Sequence, residues 1–376
     1  MKIILLDTYP VRRGSQVFFE ELAESLLDKE IEVKKIYLYK YESNIRIHLN
    51  KQDVLLNGEQ NHLFEKFPTV HPKLLFQLAK IVNEFKPDVI LLNGSRTLKY
   101  AAFAKPFFKQ KTKLIYRIID SVVFWNPSTI KQFYYKNIIL KNIDAAVGVS
   151  QASLNDVLKL YHFKKLNTVI HRCFNSRKIN LNDAVLMQQL NLERKDKIII
   201  LFLGNLTKQK RPERFVETIS ILKSKYDNCF GWIVGDGVLK NEVLAKVDEL
   251  KINDRITFFG YQKNVFPFIA NADMLLLTSD TEGLPGVTLE AGYLKVPTVC
   301  PNVGGVKEFI VNDKYGLVLD NAKPASFANA ISMLVDEPDL RKIIGENAKR
   351  KVIEAFDMEV ISKKYIDFIE KVIANV

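Results

Sequence analysis

Short apolar segments alternate with longer amphipathic segments along the whole chain, and the alternation runs through two series. The first series contains the β-branched runs KIILLD, IEVKKIYLY, PDVILLN, TKLIYRI, DAAVGVS and NTVIH. The second series contains KIIILFLG, FGWIVG, RITFFG, ADMLLLTS and VPTVC, with helical segments between them. Strands separated by helices favour parallel sheets covered by helices on both faces. The pattern predicts two tandem Rossmann-like, doubly wound α/β domains that face a cleft.

The boundary between the two series is a polar stretch, SRKINLNDA, that follows Asn175. We therefore predict an N-terminal domain at 1–178 and a C-terminal domain at 179–355. The final segment, 356–376, is predicted to be a helix, because its apolar residues recur at helical spacing. Its polar face mixes acids with lysines, which favours packing on protein over a membrane surface. We expect this helix to cross back onto the N-terminal domain.

The composition fits an ordinary globular protein of two domains, with 376 residues of which 47% are hydrophobic. The apolar runs are all far shorter than the roughly 18 residues of a membrane span. The opening MKIILLD reaches Asp7 too soon for a signal peptide, so we expect a cytoplasmic location. Cys173, Cys229 and Cys300 lie far apart without metal-ligand spacing, so we interpret them as buried apolar residues.

The net positive charge of the chain belongs entirely to its first half. Residues 1–190 contain 29 Lys and Arg against 17 Asp and Glu, whereas residues 191–376 contain 26 of each. A basic surface on one domain fits anionic lipid headgroups, a phosphorylated substrate or nucleic acid, and it is also typical of solvated helix faces. Because the basic half shows no recognisable nucleic-acid module and its aromatic residues fall at core spacing, we expect no nucleic-acid partner.

Three loops of the second half follow strand-like runs, where an open parallel sheet places its ligand groups. Each of them taken alone is also typical of an ordinary turn. In GNLTKQKRPERF, the cations that follow the end of a strand can bind a diphosphate. In VGDG, two glycines allow the backbone to approach a ligand closely. In FFGYQKN, the exposed backbone can contact a flat base. The candidate residues of these loops are Gly204, Asn205, Lys210, Arg211, Gly235, Gly237 and Tyr261.

A fourth loop, TEGLPGVTLE, is the most informative of the set. It joins a strand-like run to a helix-like run and places Glu282 and Glu290 eight positions apart. Unpaired backbone N–H groups at the start of a helix favour an anion. A carboxylate further along can accept hydrogen bonds from neutral hydroxyls. A phosphate combined with a polyol indicates a sugar nucleotide.

The second half resembles the donor-binding domain of the family 4 retaining glycosyltransferases, which have the two-domain GT-B architecture. The segment TEGLPGVTLE resembles the E-x7-E motif of that family, and PNVGGVKEFI resembles the glycine pair and glutamate that follow the motif. In the first half, RRGSQVFFEELAESL resembles the glycine loop with its first helix, and DAAVGVS resembles the strand that ends in serine. The resemblance extends over nearly the whole chain.

The resemblance implies a role for each matching residue. Glu290 would accept hydrogen bonds from the ribose, and Glu282 would lie beside the transferred sugar. Lys210 would neutralise the diphosphate as the leaving group gains charge. Gly14 would approach the diphosphate from the other domain when the cleft closes. Sugar hydroxyls and phosphate would bind the backbone amides of Gly283, Leu284, Pro285, Gly286 and Val287, of which proline offers no N–H.

Two positions depart from the pattern of the family. Asn205 stands where the family usually has arginine directly after the first glycine, and Arg211 or Arg214 is a candidate replacement. The segment RIIDS places Ile119 where many members carry a histidine before an aspartate. Either Arg117 or Asp120 then fills the space near the sugar or catalysis is altered, and we include Asp120 among the catalytic candidates.

Metal use is not expected from the sequence. There is no DxD sequence, and the five histidines show no HxxxH pairing. The DTE segment at 280–282 is a conceivable divalent pair, although a capped loop is the simpler interpretation. We therefore expect a metal-independent enzyme.

The predicted function is transfer of a sugar, with retention, from a UDP- or GDP-sugar to a hydroxyl of a cell-envelope glycan or polyprenyl-linked acceptor. The basic first half would contact that acceptor, and an anionic membrane surface, at the inner face of the plasma membrane. Two alternatives stay open. One is a sugar-nucleotide epimerase of the same architecture, and the other is a non-catalytic partner that binds a nucleotide or glycan and supports an active transferase.

Overall fold

The computed structural model of this chain describes residues 1–11, 14–40, 49–59, 69–119, 122 and 128–375. The chain forms two compact units, one made of Met1–Cys173 with Met358–Val376 and one made of Phe174–Asp357. The unit boundary falls at 173/174 rather than at 178/179, because Phe174 packs in the core of the second unit. Its backbone N–H donates to the carbonyl of Phe356 at 2.8 Å. The polar stretch that predicted the boundary begins only two residues later.

The first unit contains a seven-stranded sheet with the order β3-β2-β1-β4-β5-β6-β7. Every pair of neighbouring strands is parallel. The order reverses between β1 and β4, which is where a doubly wound sheet opens toward a ligand. The strands are β1 Lys2–Asp7, β2 Glu32–Tyr39, β3 Val54–Gly58, β4 Val89–Asn93, β5 Lys113–Ile118, β6 Ala145–Gly148 and β7 Leu166–Val169.

Helices cover both faces of this sheet, because alternate residues of the strands point to opposite sides. Ile4 and Leu6 of β1 belong to the core under one helical layer, and Ile3 and Leu5 belong to the core under the other. The first layer consists of α2 Pro72–Phe85, α3 Ser95–Ala104, α4 Thr129–Tyr134 and α5 Gln151–Tyr161. The second layer consists of α1 Gly14–Leu27 and the C-terminal helix, which is α14 in chain order and spans Met358–Ala374.

The C-terminal helix packs on the N-terminal domain, as its apolar stripe predicts. Its buried residues belong to the same core as Phe18 and Leu22 of α1. They are Met358, Ile361, Tyr365, Phe368, Ile369 and Val372. The predicted packing of this segment is therefore confirmed.

A buried polar network connects this helix to the carboxyl ends of β1, β4 and β5. The Arg117 guanidinium donates to the Asn93 side-chain oxygen at 2.8 Å and to the Tyr365 hydroxyl at 3.1 Å, and it stacks over the Phe18 ring at 4.0 Å. Asn93 in turn donates to the Asp7 carboxylate at 2.5 Å. Because the network satisfies polar groups that water cannot reach, it holds the helix and the three strands in one arrangement.

Asp7 makes the stability of this unit depend on pH. Burial raises the pKa of Asp7 from 3.8 to about 6, although hydrogen bonds from Gln16, Asn93 and Thr8 lower it. A carboxyl group of this kind stabilises the fold fully below 3.8, and the contribution is lost as the pH rises through about 6. The loss is worth about 3 kcal/mol, since each pKa unit corresponds to about 1.4 kcal/mol.

We expect the Asp7→Asn variant to lack this loss. Urea unfolding of both proteins between about pH 4 and about pH 7 measures the difference in their free energies of unfolding. As the pH rises, the free energy of unfolding of the variant should gain about 3 kcal/mol relative to that of the unmodified protein. A change in stability that is the same at every pH does not affect this comparison. Parallel pH profiles for the two proteins would show that the buried carboxyl group does not titrate in this range.

The second unit contains a six-stranded parallel sheet with the order β10-β9-β8-β11-β12-β13. Its strands are β8 Ile198–Leu203, β9 Cys229–Val234, β10 Ile256–Gly260, β11 Met274–Leu276, β12 Thr298–Pro301 and β13 Leu317–Leu319. Its helices are α6 Ala184–Arg194, α7 Pro212–Lys223, α8 Lys240–Glu249, α9 Phe266–Ala270, α10 Gly286–Tyr293, α11 Val306–Phe309, α12 Pro324–Asp336 and α13 Pro338–Phe356. The predicted class, two Rossmann-like parallel-sheet domains, is confirmed.

The membrane-span and cysteine expectations that were drawn from the sequence can be compared with the structure. Within the described ranges, none of the helices combines the length and the apolar character that crossing a bilayer requires. The three cysteines are free and buried, as predicted. Burial raises the pKa of all three thiols, that of Cys229 to about 11, so they stay neutral and pack as apolar groups.

Candidate functional site

The candidate site lies in the second unit, at the carboxyl ends of β8 and β11. The strand order reverses between these two neighbours, since β9 and β10 lie on one side of β8 and β12 and β13 lie beyond β11. The loop after β8 contains Lys210, and the loop after β11 contains Glu282. Because parallel neighbours end at the same edge of the sheet, the two loops lie side by side there.

Lys210 and Glu282 form an ion pair at this edge. Glu282 Oε1 accepts a hydrogen bond from Lys210 Nζ and another from the Ser279 hydroxyl at 2.6 Å. The Glu282 side chain is 8% exposed and that of Lys210 is 25% exposed, so the pair is largely shielded from water. An ion pair with one exposed cationic end can bind an anion without a large rearrangement.

Further hydrogen bonds join the two loops into one polar unit. The Thr278 hydroxyl donates to the Lys210 carbonyl at 2.8 Å, and the Gln209 side-chain amide donates to the Thr281 carbonyl at 3.0 Å. The backbone N–H of Asp280 donates to the Gln209 carbonyl at 2.9 Å. These contacts hold the backbones that carry Lys210 and Glu282 in a fixed relation, which is the condition for a preorganised electrostatic site.

The two arginines considered as replacements at the Asn205 position are both paired with Asp280. Arg214 Nη1 lies 2.6 Å from one carboxylate oxygen of Asp280, and Arg211 Nε lies 3.5 Å from the other. Arg211 also pairs with Glu213 at 2.9 Å, whereas Asn205 itself is exposed. The arginines connect the first turn of α7 to the loop after β11. Their role at a diphosphate stays a prediction.

Glu290 lies on α10, which begins at Gly286 directly after the glycine-proline turn. Its side chain is half-buried. The first N–H groups of a helix have no partner within the helix, so the start of α10 adds donors and a partial positive charge to the site. The E-x7-E spacing therefore places one glutamate on the loop before the helix and the other inside the helix.

The residues between the two glutamates divide into backbone and side-chain roles. Leu284 is 5% exposed and belongs to a hydrophobic core with Leu289, and Val287 is partly buried against the same core. Their side chains stabilise the turn, which leaves their backbone N–H groups as the parts that can contact a ligand. Gly283 and Gly286 offer backbone alone, and Pro285 supplies no donor.

Gly304 supports the backbone of Glu282 from the neighbouring loop after β12. It has a φ of +54°, and a Cβ at this position would collide with the Glu282 carbonyl oxygen. The next residue, Gly305, donates its N–H to the Gly283 carbonyl at 2.6 Å. The first glycine of the pair in PNVGGVKEFI is therefore required by a close contact between two backbones, and this contact fixes the position of Glu282.

Gly235 and Gly237 allow a close backbone approach, but the partner is the protein itself. A Cβ on Gly235 would collide with the Gly204 carbonyl oxygen, and a Cβ on Gly237 would collide with the Leu206 carbonyl oxygen. The loops after β8 and β9 thus interlock through their main chains. Gly235 also donates to the Gly260 carbonyl at 2.8 Å, and Gly260 precedes the exposed Tyr261. Contact of these loops with a donor stays a prediction.

Three candidate residues, Gly14, Arg117 and Asp120, belong to the first unit. Gly14 begins α1, and a Cβ there would lie 2.5 Å from Arg172 Nη1. Asp120 lies outside the described residues. Arg117 is 2% exposed and is committed to Asn93, Tyr365 and Phe18. The suggestion that Arg117 fills a space beside the sugar is therefore wrong, because its guanidinium group is part of the core.

No group of three or more His, Cys, Asp or Glu side chains that could hold a metal ion occurs among the residues that the structure describes. Burial raises the pKa of the Cys300 thiol and the nearby negative charge of Glu282 raises it further, so Cys300 stays protonated next to the site.

Sequence reasoning missed three residues that position the charged pair: Thr278, Ser279 and Gln209. All three lie inside segments that the motifs had already singled out. The available signal was spacing, since Ser279 precedes Glu282 by three residues and Gln209 precedes Lys210 by one. Small polar residues beside charged ones are common in loops, so that signal alone does not identify a partner.

Comparisons with known proteins agree with this geometry. A family model described as Glycosyltransferase Family 4 matches residues 12–178, and one described as Glycosyl transferases group 1 matches residues 186–351. The N-acetyl-alpha-D-glucosaminyl L-malate synthase of Bacillus anthracis is 25% identical over 370 residues, which cover 96% of this chain and 94% of that protein.

Two further proteins match over nearly their full lengths. The Campylobacter jejuni protein named GalNAc-alpha-(1->4)-GalNAc-alpha-(1->3)-diNAcBac-PP-undecaprenol alpha-1,4-N-acetyl-D-galactosaminyltransferase is 25% identical, over 99% of each chain. The crystal structure of Anabaena HepE in complex with UDP-glucose has the same fold, with a TM-score of 0.81 and 16% identity, over 99% of this chain and 100% of that one. With its two Rossmann-like domains and both family models matched, this chain belongs to the family 4 glycosyltransferases of GT-B architecture.

Proposed function

We propose that this glycosyltransferase moves a sugar from a UDP- or GDP-sugar to a hydroxyl group of a lipid-linked or cell-envelope glycan, with retention of the anomeric configuration. The observation that carries the proposal is the cluster of Lys210, Glu282 and Ser279 beside the start of α10. A cation, a carboxylate and free backbone donors at one sheet edge suit the three parts of such a donor: its diphosphate, its sugar and its ribose.

In the proposed reaction, the bond between the anomeric carbon and the diphosphate breaks while a bond to the acceptor oxygen forms, and the proton of the acceptor hydroxyl passes to the departing diphosphate. The departing diphosphate gains negative charge, and Lys210 is the cation that stabilises it. This interaction strengthens toward the transition state, so it lowers the barrier as well as the dissociation constant of the donor. A fixed lysine can provide this charge itself, and we propose that no metal ion is required.

Glu282 would accept hydrogen bonds from hydroxyls of the transferred sugar, and Glu290 would accept them from the ribose. The backbone N–H groups of Gly283, Leu284, Gly286 and Val287 would bind sugar hydroxyls and phosphate oxygens. The interlocked loops with Gly204, Gly235, Gly237 and Tyr261 would form the wall beside the base. Retention is proposed from family membership, and the solved structure of HepE with UDP-glucose supports a nucleotide sugar as donor.

The acceptor is proposed from charge and from relatives. The first half of the chain carries the net positive charge, and the name of the Campylobacter jejuni relative specifies a diphosphate-linked undecaprenol glycan. The diphosphate of such an acceptor and the anionic lipids around it would both be attracted to a basic domain. We therefore place the reaction at the inner face of the plasma membrane, with the first domain toward the acceptor.

A transfer assay tests this proposal and separates it from the two alternatives. The protein is incubated with UDP- or GDP-sugars, with and without polyprenyl-diphosphate glycans, and the nucleotide diphosphate released is measured. Release that depends on the acceptor and persists in a chelator supports the transferase, and NMR of the product gives its anomeric configuration. A changed sugar nucleotide without acceptor would instead indicate an epimerase. Donor binding without release, across a range of acceptors, would indicate a non-catalytic partner.

A further inference from the structure

The net positive charge of the chain is concentrated in one segment of the first unit, residues 72–165. Residues 72–165 contain 16 Lys and Arg against 5 Asp and Glu, whereas residues 1–71 contain 10 against 11. The segment 72–165 supplies α2, α3, α4 and α5, which cover one face of the seven-stranded sheet; we call their outer surface the basic layer. These four helices contain 6 Lys and Arg against 2 Asp and Glu, whereas α1 and α14 of the opposite layer contain 3 against 6. The charge is therefore one-sided.

The basic layer also exposes apolar side chains on α4 and the helical turns that follow it. Ile130 is 73% exposed, Phe133 is 69% exposed and Ile138 is 44% exposed, while Tyr135 and Ile139 of the same segment are buried. The inward side of the segment is thus already packed, so these three side chains form a second apolar face. A helix that only covers a core carries polar residues on its outer side.

The charges on this segment have a single sign. Residues 128–142 contain Lys131, Lys136 and Lys141 and no Asp or Glu. A second apolar group lies in the same layer, where the exposed rings of Phe76 and Phe107 pack edge to face with their centroids 5.2 Å apart. Exposed apolar side chains between lysines, without acids, are the pattern of helices that lie in a membrane interface.

We infer that the basic layer, through Ile130, Phe133 and Ile138 with the lysines around them, docks this enzyme on an anionic phospholipid bilayer. Charge complementarity favours a negative surface, and the isoleucines distinguish a bilayer from a nucleic acid, because aliphatic side chains enter acyl chains but do not stack on bases. This inference rests on the proposed lipid-linked acceptor, which would be located in the same bilayer.

Vesicle co-sedimentation of the full chain tests the inference. The probes are vesicles of phosphatidylcholine alone and of phosphatidylcholine mixed with phosphatidylglycerol, each at low and high salt. The protein should bind the mixed vesicles and lose most of that binding at high salt, because ions screen surface charge. Equal sedimentation with both vesicle types, or none with the mixed ones, overturns the inference.

Two pairs of variants locate the surface. Ile130→Ser with Phe133→Ser, and Lys136→Gln with Lys141→Gln, should each weaken binding to the mixed vesicles by about tenfold or more. The matched controls in the second unit are Val185→Ser with Leu192→Ser, whose side chains are 67% and 69% exposed, and Lys323→Gln with Lys342→Gln, both exposed. The control pairs should bind as the unmodified protein does, and equal losses in controls and test pairs contradict the assignment.

A donor-induced thermal shift of every variant separates this inference from the proposed function. The shift should be unchanged in all four variants, which also shows that each of them is folded. If mixed vesicles do not bind while the donor shift stands, the docking surface is wrong and the donor site is unaffected. If a DNA duplex binds as tightly as the mixed vesicles, and the Ile130 and Phe133 changes have no effect on either, the layer is a polyanion-binding surface instead.

Discussion

Replacing Lys210 with alanine should lower kcat/KM for sugar transfer by a factor of about 10² to 10³, the loss typical of a single preorganised electrostatic donor. Two contacts hold Lys210 at the sheet edge: its side chain pairs with Glu282, and its backbone carbonyl accepts a hydrogen bond from the Thr278 hydroxyl. Most of the loss should appear in kcat, because the charge of the diphosphate grows as the glycosidic bond breaks.

The measurement is steady-state release of nucleoside diphosphate with an acceptor present. Lys208→Ala is the matched control, because this lysine lies two residues away in the same loop and is exposed. The control should keep nearly full activity. If Lys208→Ala and Lys210→Ala lower kcat/KM equally, the charge acts through the general potential of the loop and the specific role of Lys210 is wrong.

Replacing Glu282 should have the second largest effect, and it should change both activity and stability. The alanine variant leaves Lys210 three-quarters buried without its carboxylate and leaves the Ser279 hydroxyl without an acceptor. An unpaired charge or polar group in such a place destabilises a protein by about 1–3 kcal/mol or more. We also expect a roughly 10²-fold loss of kcat/KM, because the sugar loses a charge-assisted hydrogen bond and its orientation.

A double-mutant cycle distinguishes the two effects of Glu282. Adding Lys210→Met to Glu282→Ala removes the unpaired charge, so the thermal stability should recover in part while the activity stays low. Glu354→Ala on the exposed side of α13 is the control for removal of a carboxylate and should change neither quantity. Full activity in Glu282→Ala would contradict the proposed contact with the sugar.

The sequence was sufficient for the elements with strong periodicity. All eleven predicted strand runs overlap strands of the structure, and the stripe that includes Ile361, Phe368 and Val372 correctly predicted where the last helix packs. The two strands that it missed, β3 and β13, have five and three residues and lie at sheet edges. β3 ends in Asn57 and Gly58, which are typical of turns, and β13 is only partly buried, so neither run shows the apolar pattern of a strand.

The network around Arg117 could not be predicted, because its partners come from β4, α1 and the C-terminal helix, 24 to 248 residues away in the case of its hydrogen bonds. An arginine near the end of a strand was therefore assigned to the ligand, whereas tertiary pairing buries it. The same reason applies to Gly235 and Gly304, whose contacts are with backbones of other loops. Motif spacing predicted which loops form the candidate site. The atoms that hold those loops in place could be identified only from the folded structure.

The central claim is that the second unit binds a nucleoside diphosphate sugar through Glu290 and Lys210. Thermal-shift titration of the unmodified protein and Glu290→Ala with a panel of UDP- and GDP-sugars tests it most directly, since stabilisation grows with the logarithm of ligand concentration over the dissociation constant. We predict that at least one donor stabilises the unmodified protein and that Glu290→Ala needs roughly tenfold to a hundredfold more of it for the same shift. The absence of any shift, or an equal response of Glu290→Ala, would contradict the account.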